Sequence, residues 1–339
     1  MGANGNEEGE KRILRDGLSI IAGCKSRTGD IWEAHFGAAA IASYFFARDN
    51  RLDEATARRV RSEAAAMVAR YGGNSGGEGA EPRVGDACLP SREAERMVME
   101  ALDRSIDGLH WVGHNVIYAA MSLLAIRELG GWGTRADIEG IAELIRAFER
   151  TIPGRSWIGH TASDGKKMNV DEDVSLPVIE DASQLSAFVL SELASVRTIY
   201  KAEAHHDLLG HMLTFSHALN VLHDLGYRDE FRRGIGPILK LAKALRASRN
   251  LGEKEAIALY SPVDRLPLAK AERSERLPTE PEYWVEDFGR HDWDFGHVFK
   301  FPFSFYDHLN RLPAGSIPEA VDRFRYLIID NLSGTGSIK

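Results

Sequence analysis

Apolar residues recur at three- and four-residue spacing through most of the chain, which predicts amphipathic helices over 54–71, 115–129, 137–150, 184–203 and 230–248. Ala, Leu, Glu and Arg dominate these stretches, as helix propensity favours. Sustained two-residue alternation is missing, which excludes a large sheet. Three stretches interrupt the pattern. Residues 72–91 are rich in Gly and Pro and predict a surface loop. Residues 155–177 are polar and predict an irregular connection. Residues 250–293 are charged and Pro-containing, and predict a lid-like insertion. The expected layout is a disordered tail over 1–12 and a single all-helical domain over 13–335.

Comparison of the chain with itself reveals a repeat. Ala34-His35, Gly113-His114, Gly210-His211 and Gly296-His297 each open an apolar stretch. A second amphipathic stretch begins near Asp53, Thr134, Arg228 and Pro318, in each case 17 to 21 residues after the histidine. Four helical hairpins result, with an extra helix at 184–203. Hairpins of this kind bury their apolar faces only by stacking. The predicted fold is therefore all-α, with repeated hairpins forming a ring-like or curved α/α array around a central site. Equivalent positions in such an array face one axis, so the four histidines are expected to converge.

Neutral imidazole is the commonest metal ligand of proteins, and converging imidazoles suit Fe, Cu, Zn or Ni. The competing reading is repeat ancestry, in which each histidine caps its helix and bonds a neighbouring loop. Lys300 lies three residues after His297 on the same helical face. A buried ammonium is costly, and a metal nearby favours the neutral amine. A neutral amine takes up CO2 to become a carbamate, an oxygen ligand; otherwise Lys300 reaches the surface or pairs with Asp294 or Asp307. His110, four residues before His114, shares its face if that stretch is helical, whereas His217, six residues after His211, does not share that residue's face. Both are candidate general bases, since imidazole titrates near neutrality. His160 and His223 read as structural, and His308 is open between the two roles. Trp32, Trp111 and Trp293 precede the aligned histidines by three or four residues, either as walls of a pocket for a flat apolar substrate or as core aromatics.

At these residues the sequence resembles the questin-oxidase-like family. The similarity is carried by Glu-Ala-His35-Phe-Gly-Ala-Ala-Ala, by His211-Met-Leu-Thr-Phe-Ser-His217-Ala-Leu and by Gly-His297-Val-Phe-Lys300-Phe, spread in this order between Trp32 and Leu309. The resemblance implies an all-helical fold, O2-dependent opening or Baeyer–Villiger-type oxidation of aromatic polyketides such as anthraquinones, and a mononuclear non-haem iron(II). It implies the ligand set His35, His114, His211, His297 and a carboxylated Lys300. The chain departs from the family in being short and in carrying Met121 where a further histidine is expected.

Composition narrows the alternatives. The 339 residues are 44% hydrophobic and 27% charged, ample for a core. A net charge of −8 argues against a nucleic-acid partner, because phosphate binding needs a basic surface. Two cysteines, Cys24 and Cys88, make no disulfide framework, and no apolar run approaches a membrane span. With no recognisable leader, these features predict a cytoplasmic protein free of membrane. GxGxxG, P-loop, GxSxG and HExxH motifs are missing, and Asp171-Glu-Asp173 lacks the glycine and distal glutamate of a calcium loop. The expected function is an iron(II) oxygenase acting on a small aromatic molecule and O2. The alternatives are a zinc-dependent hydrolase or lyase on the same scaffold, and a non-enzymatic helical-repeat binding protein.

Overall fold

A computed structural model describes residues 3–72, 88–171, 173–252 and 257–328, with side chains from residue 9 onward. Twelve α-helices and one two-stranded sheet occur among the described residues. The all-α expectation therefore stands. By its contacts the chain divides into two compact units, each assembled from three separated stretches.

The first unit comprises 1–105, 115–149 and 278–303. It contains α1 (Ala3–Thr28), α2 (Ala34–Asp49), α3 (Glu54–Tyr71), α4 (Ser91–Leu102), most of α5 (His114–Leu129) and α6 (Arg135–Arg146). Nearly every residue of α2 from Ala34 to Phe46 is buried, so this helix is central to its unit. It packs on α1 and α3, while α6 packs on α1 and α4. The α1–α2 crossing is close because Gly17 and Gly37 face each other: a Cβ on Gly37 would lie 2.5 Å from the Gly17 carbonyl oxygen. Local chemistry sets the second-helix starts. The Asp53 carboxylate accepts from the Thr56 N–H at the head of α3, and Thr134 and Asp137 form a reciprocal cap at the head of α6.

The second unit comprises 106–114, 150–277 and 304–339. It contains the short α7 (Ala162–Lys167), α8 (Ala182–Ala194), α9 (Leu208–Asp224), α10 (Arg228–Leu245), the later part of α11 (His297–Asn310) and α12 (Pro318–Phe324). Here α9 is the central helix, buried from Leu208 to Leu222, and it packs on α8 and α10. Strand β1 (Trp157–Ile158) pairs antiparallel with β2 (Leu259–Tyr260). No helix among the described residues is long and apolar enough to cross a membrane.

The predicted second-helix starts at Asp53, Thr134, Arg228 and Pro318 coincide with the caps or first residues of α3, α6, α10 and α12. Three expectations need correction. Residues 3–12 are not a disordered tail but the first turns of α1, where Glu10 pairs with Arg61 and Lys11 with Glu128. The helix expected over 184–203 stops at Ala194, because the following backbone finds partners elsewhere: Arg197 N–H donates to the Arg249 carbonyl and Lys201 N–H to that of Ala269. Residues 155–177, expected to be irregular, contain β1 and α7. The stretch 250–293, expected as a lid-like insertion, is packed in its described part. Its earlier part supplies β2, and its later part buries Tyr283, Trp284 and Phe288, with Trp284 stacked on Phe299. Much of the expected loop at 72–91 lies outside the described residues.

Candidate metal centre

The four aligned histidines all open, or lie within the first turn of, a first helix, and all four are buried. In each ring Nδ1 is directed at an oxygen just upstream. His35 Nδ1 lies 3.0 Å from the Trp32 carbonyl, and His114 Nδ1 meets the Trp111 carbonyl. His211 Nδ1 lies 2.8 Å from the Asp207 carbonyl and 3.3 Å from its carboxylate. His297 Nδ1 lies 3.3 Å from the Asp294 carboxylate. Carbonyls only accept, so the His114 and His211 rings, each bonded to one through Nδ1, carry the proton on that nitrogen. In the neutral imidazole the lone pair then sits on Nε2. This is how ligating histidines are held: the far nitrogen donates to a fixed oxygen and the near nitrogen faces the ion.

The backbone before two of these helices is strained to achieve this. Trp111 and Val112 have φ of 39° and 50° before Gly113. Asp292, Trp293, Asp294 and Phe295 all have φ between 46° and 55° before Gly296 at 76°. Consecutive left-handed residues other than glycine cost roughly 1 kcal/mol or more each. The second of these turns folds the Asp294 carboxylate back onto His297. Gly296 is required there twice over, by its φ and because a Cβ would lie 2.4 Å from that of Ala39. Ahead of His211 the device differs: a π-helical turn over Glu203–Asp207 presents Asp207.

Each unit holds one pair. In the first, the His35 and His297 rings lie 5.9 Å apart centre to centre. Phe301 stacks on His297 at 4.4 Å, Phe295 meets His35 edge-on, and the Tyr118 hydroxyl approaches His35 Nδ1 to 2.6 Å. Burial raises the Tyr118 pKa well above its usual value, so its phenol stays protonated. In the second unit, His114 Nε2 and His211 Nε2 lie 3.3 Å apart. Both are lone-pair nitrogens, and two lone pairs at that distance repel unless a proton or a cation lies between them. Two metal–nitrogen bonds of about 2.0–2.1 Å at a tetrahedral angle separate their nitrogens by about 3.3 Å. The pair fits one ion.

Lys300 is buried in α11, as its spacing from His297 predicts, so it does not reach the surface. Neither acid considered as its partner is otherwise idle: Asp294 meets His297, and Asp307 meets Arg311 at 2.7 Å.

The remaining candidates separate. His110 precedes a 3-10 turn in extended backbone, so the helical spacing to His114 does not apply; its Nδ1 lies 3.5 Å from Thr151 Oγ1. His217 is buried on α9, with Nδ1 3.0 Å from Ser304 Oγ and Nε2 3.8 Å from Asp307. Its ring thus lies between a serine hydroxyl and a carboxylate. His308, open in the sequence, is a saturated core group between Ser186, Ser216, Asn220 and the Leu213 carbonyl. Trp32 lies 5.7 Å from the His35 ring. Trp111 contributes its carbonyl to His114. Trp293 is turned to α3, donating to Glu63 Oε2 at 3.1 Å and meeting Tyr71 edge-on. Sequence reasoning missed Asp207 as a histidine partner, the pairing of Asp294 with His297, and Tyr118. An acid three or four residues before an aligned histidine was the available signal.

Compared with known proteins, the chain matches no family model, no curated protein and no solved structure.

Proposed function

We propose that the chain is an iron(II)-dependent oxygenase acting on a hydroxylated polycyclic aromatic or quinone, with His35, His114, His211, His297 and Lys300 as its metal-holding residues and Lys300 carried as a carbamate. The observation that carries the metal is the His114–His211 pair, two buried lone-pair nitrogens at 3.3 Å with both Nδ1 protons already given to upstream oxygens. A donor set of imidazoles with one carbamate oxygen suits iron, and iron(II) supplies the one-electron reactivity toward O2 that closed-shell aromatics lack.

The chain's own residues do the rest. Upstream carbonyls fix the His114 and His211 imidazoles in one tautomer and orientation. Burial of all four rings excludes bulk water from the ligand nitrogens. The Tyr118 hydroxyl, hydrogen-bonded with His35 Nδ1, keeps that ring from turning. Trp32 offers an aromatic face beside His35 for a flat substrate. His110 is only partly buried, and its imidazole takes the proton of a substrate phenol.

The test is anaerobic reconstitution followed by O2 uptake with a panel of hydroxylated anthraquinones. Near-stoichiometric iron and substrate-dependent O2 consumption are expected. Tightly held zinc with O2-independent turnover of an ester or amide moves the chain to the hydrolase reading. A folded protein that takes up no metal moves it to the scaffold reading.

A further inference from the structure

Large apolar side chains that face solvent are unevenly spread. Seven are exposed among the described residues, and six of them, Ile152, Val174, Val178, Tyr260, Val263 and Leu266, belong to the second unit. A single exposed aliphatic is ordinary, whereas grouped ones mark a contact surface. Five of the six fall in two loops, over 171–181 and 260–267.

The first loop is not exposed for want of anchors. Val174 is fully exposed and Val178 is 84% exposed, yet the backbone beside them is tied down. The Arg246 guanidinium donates to the Ser175 carbonyl at 3.3 Å and to Ser175 Oγ at 2.7 Å, and is itself held by Glu192. Lys243 pairs with Asp173 at 2.6 Å and donates to the Asn169 carbonyl. The second loop is fixed in the same manner. Ser261 Oγ accepts from the Val263 and Asp264 N–H groups, and the Asp264 carboxylate accepts from those of Glu203 and Ala204. Both loops hold their apolar side chains outward, so little ordering cost remains when a partner arrives.

Their charges are opposite. Residues 171–181 carry five acids, Asp171, Glu172, Asp173, Glu180 and Asp181, and no base. Residues 257–271 carry Arg265 and Lys270, both exposed, and one acid, Asp264, whose carboxylate is engaged by backbone N–H groups. An acidic loop with apolar side chains and a basic loop with apolar side chains complement each other. Within one chain both stay exposed, so the complement lies on another copy. We propose that this chain associates with a second copy of itself, Val174 and Val178 of one seated on Tyr260, Val263 and Leu266 of the other, with Arg265 and Lys270 against Asp171 and Glu180. The contact is small, so the association is weak and reversible.

Sedimentation velocity of the full chain from about 1 to about 100 micromolar tests this. The unsubstituted chain is expected to sediment faster as concentration rises, and less so in high salt, which screens the charged rim. Val174→Asp and Leu266→Asp change exposed positions, and each is expected to weaken association about 10-fold. Two charge-reversed chains test the pairing, one carrying Asp171→Arg with Glu180→Arg and the other Arg265→Glu with Lys270→Glu. Each alone is expected to associate about 10-fold more weakly, and an equimolar mixture of the two to recover. A sedimentation coefficient constant to the highest concentration overturns the proposal. So does association that Val174→Asp and Leu266→Asp leave intact, or a mixture that associates no better than its parts. A chain that stays monomeric and floats with phosphatidylcholine vesicles also overturns it, by giving the loops to a lipid surface.

Discussion

Two groups of buried histidines lie in the second unit, and they differ in where their protons go. His308 is satisfied on both sides: Nε2 donates to the Leu213 carbonyl at 3.1 Å, and Nδ1 accepts from the Asn220 amide at 3.3 Å. Ser186 and Ser216 complete its surroundings, each at 2.9 Å. Burial pushes its pKa down to about 4, so it stays neutral and acts as a cross-brace between α8, α9 and α11. His114 and His211 are equally buried, but their satisfied nitrogens face away from each other and their lone pairs face together. Burial alone therefore does not separate a ligand from a core histidine. The accounting of donors and acceptors does.

The largest effects should come from exchanging the two fates. His211→Ala is expected to lower metal affinity by at least 100-fold with little loss of apo stability. His308→Ala is expected to leave metal content intact and to cost about 3 kcal/mol, because Asn220, Ser186 and the Leu213 carbonyl lose their shared partner. Metal analysis and urea unfolding of both variants check this. Loss of metal in His308→Ala at unchanged stability would reverse the assignment.

The comparison also has a pH signature. Above 6.5, His308 is neutral in folded and unfolded chains alike and adds nothing to stability. Between 6.5 and about 4 the unfolded chain takes up a proton that the folded chain refuses. This group therefore lowers stability by about 1.4 kcal/mol per pH unit as pH falls through that window. His308→Gln is expected to remove this slope, read as the difference in unfolding free energy from the unsubstituted protein at pH 7 and pH 5. A difference constant with pH would show that folded His308 carries the proton already.

A smaller change tests the turn that serves His297. Gly296→Ala places a side chain at φ 76° and against Ala39, and is expected to cost about 2 kcal/mol and to loosen the metal. The smallest effect should follow Trp293→Phe, which removes the bond to Glu63 but leaves the ring against Tyr71. About 1 kcal/mol of stability should be lost, with metal content unchanged. Trp293→Phe that releases metal would return this residue to the site.

The helix repeat was legible because its signals are local. Asp53 and Thr134 cap their helices through their own side chains, and the apolar stripes of α6 and α10 declare themselves by spacing. The aligned histidines were legible as a repeat for the same reason. Their tautomers were not, because those depend on left-handed backbone at Trp111, Val112 and Asp292–Phe295, which no propensity of Trp, Val or Phe foretells. The end of α8 was hidden for a related reason: Arg197 and Lys201 bond to backbone about 50 and 70 residues away. His217 and His308 could not be told from ligands in sequence, since the serines that engage them come from α8, α9 and α11 together.

The most direct measurement is metal content after anaerobic loading with iron(II) and gel filtration, for the unsubstituted protein, His114→Ala, His211→Ala and His217→Ala. The account predicts near one iron per chain in the unsubstituted protein and in His217→Ala, and a loss of most of it in the other two. Equal iron in all four, or none in the unsubstituted protein, would contradict it.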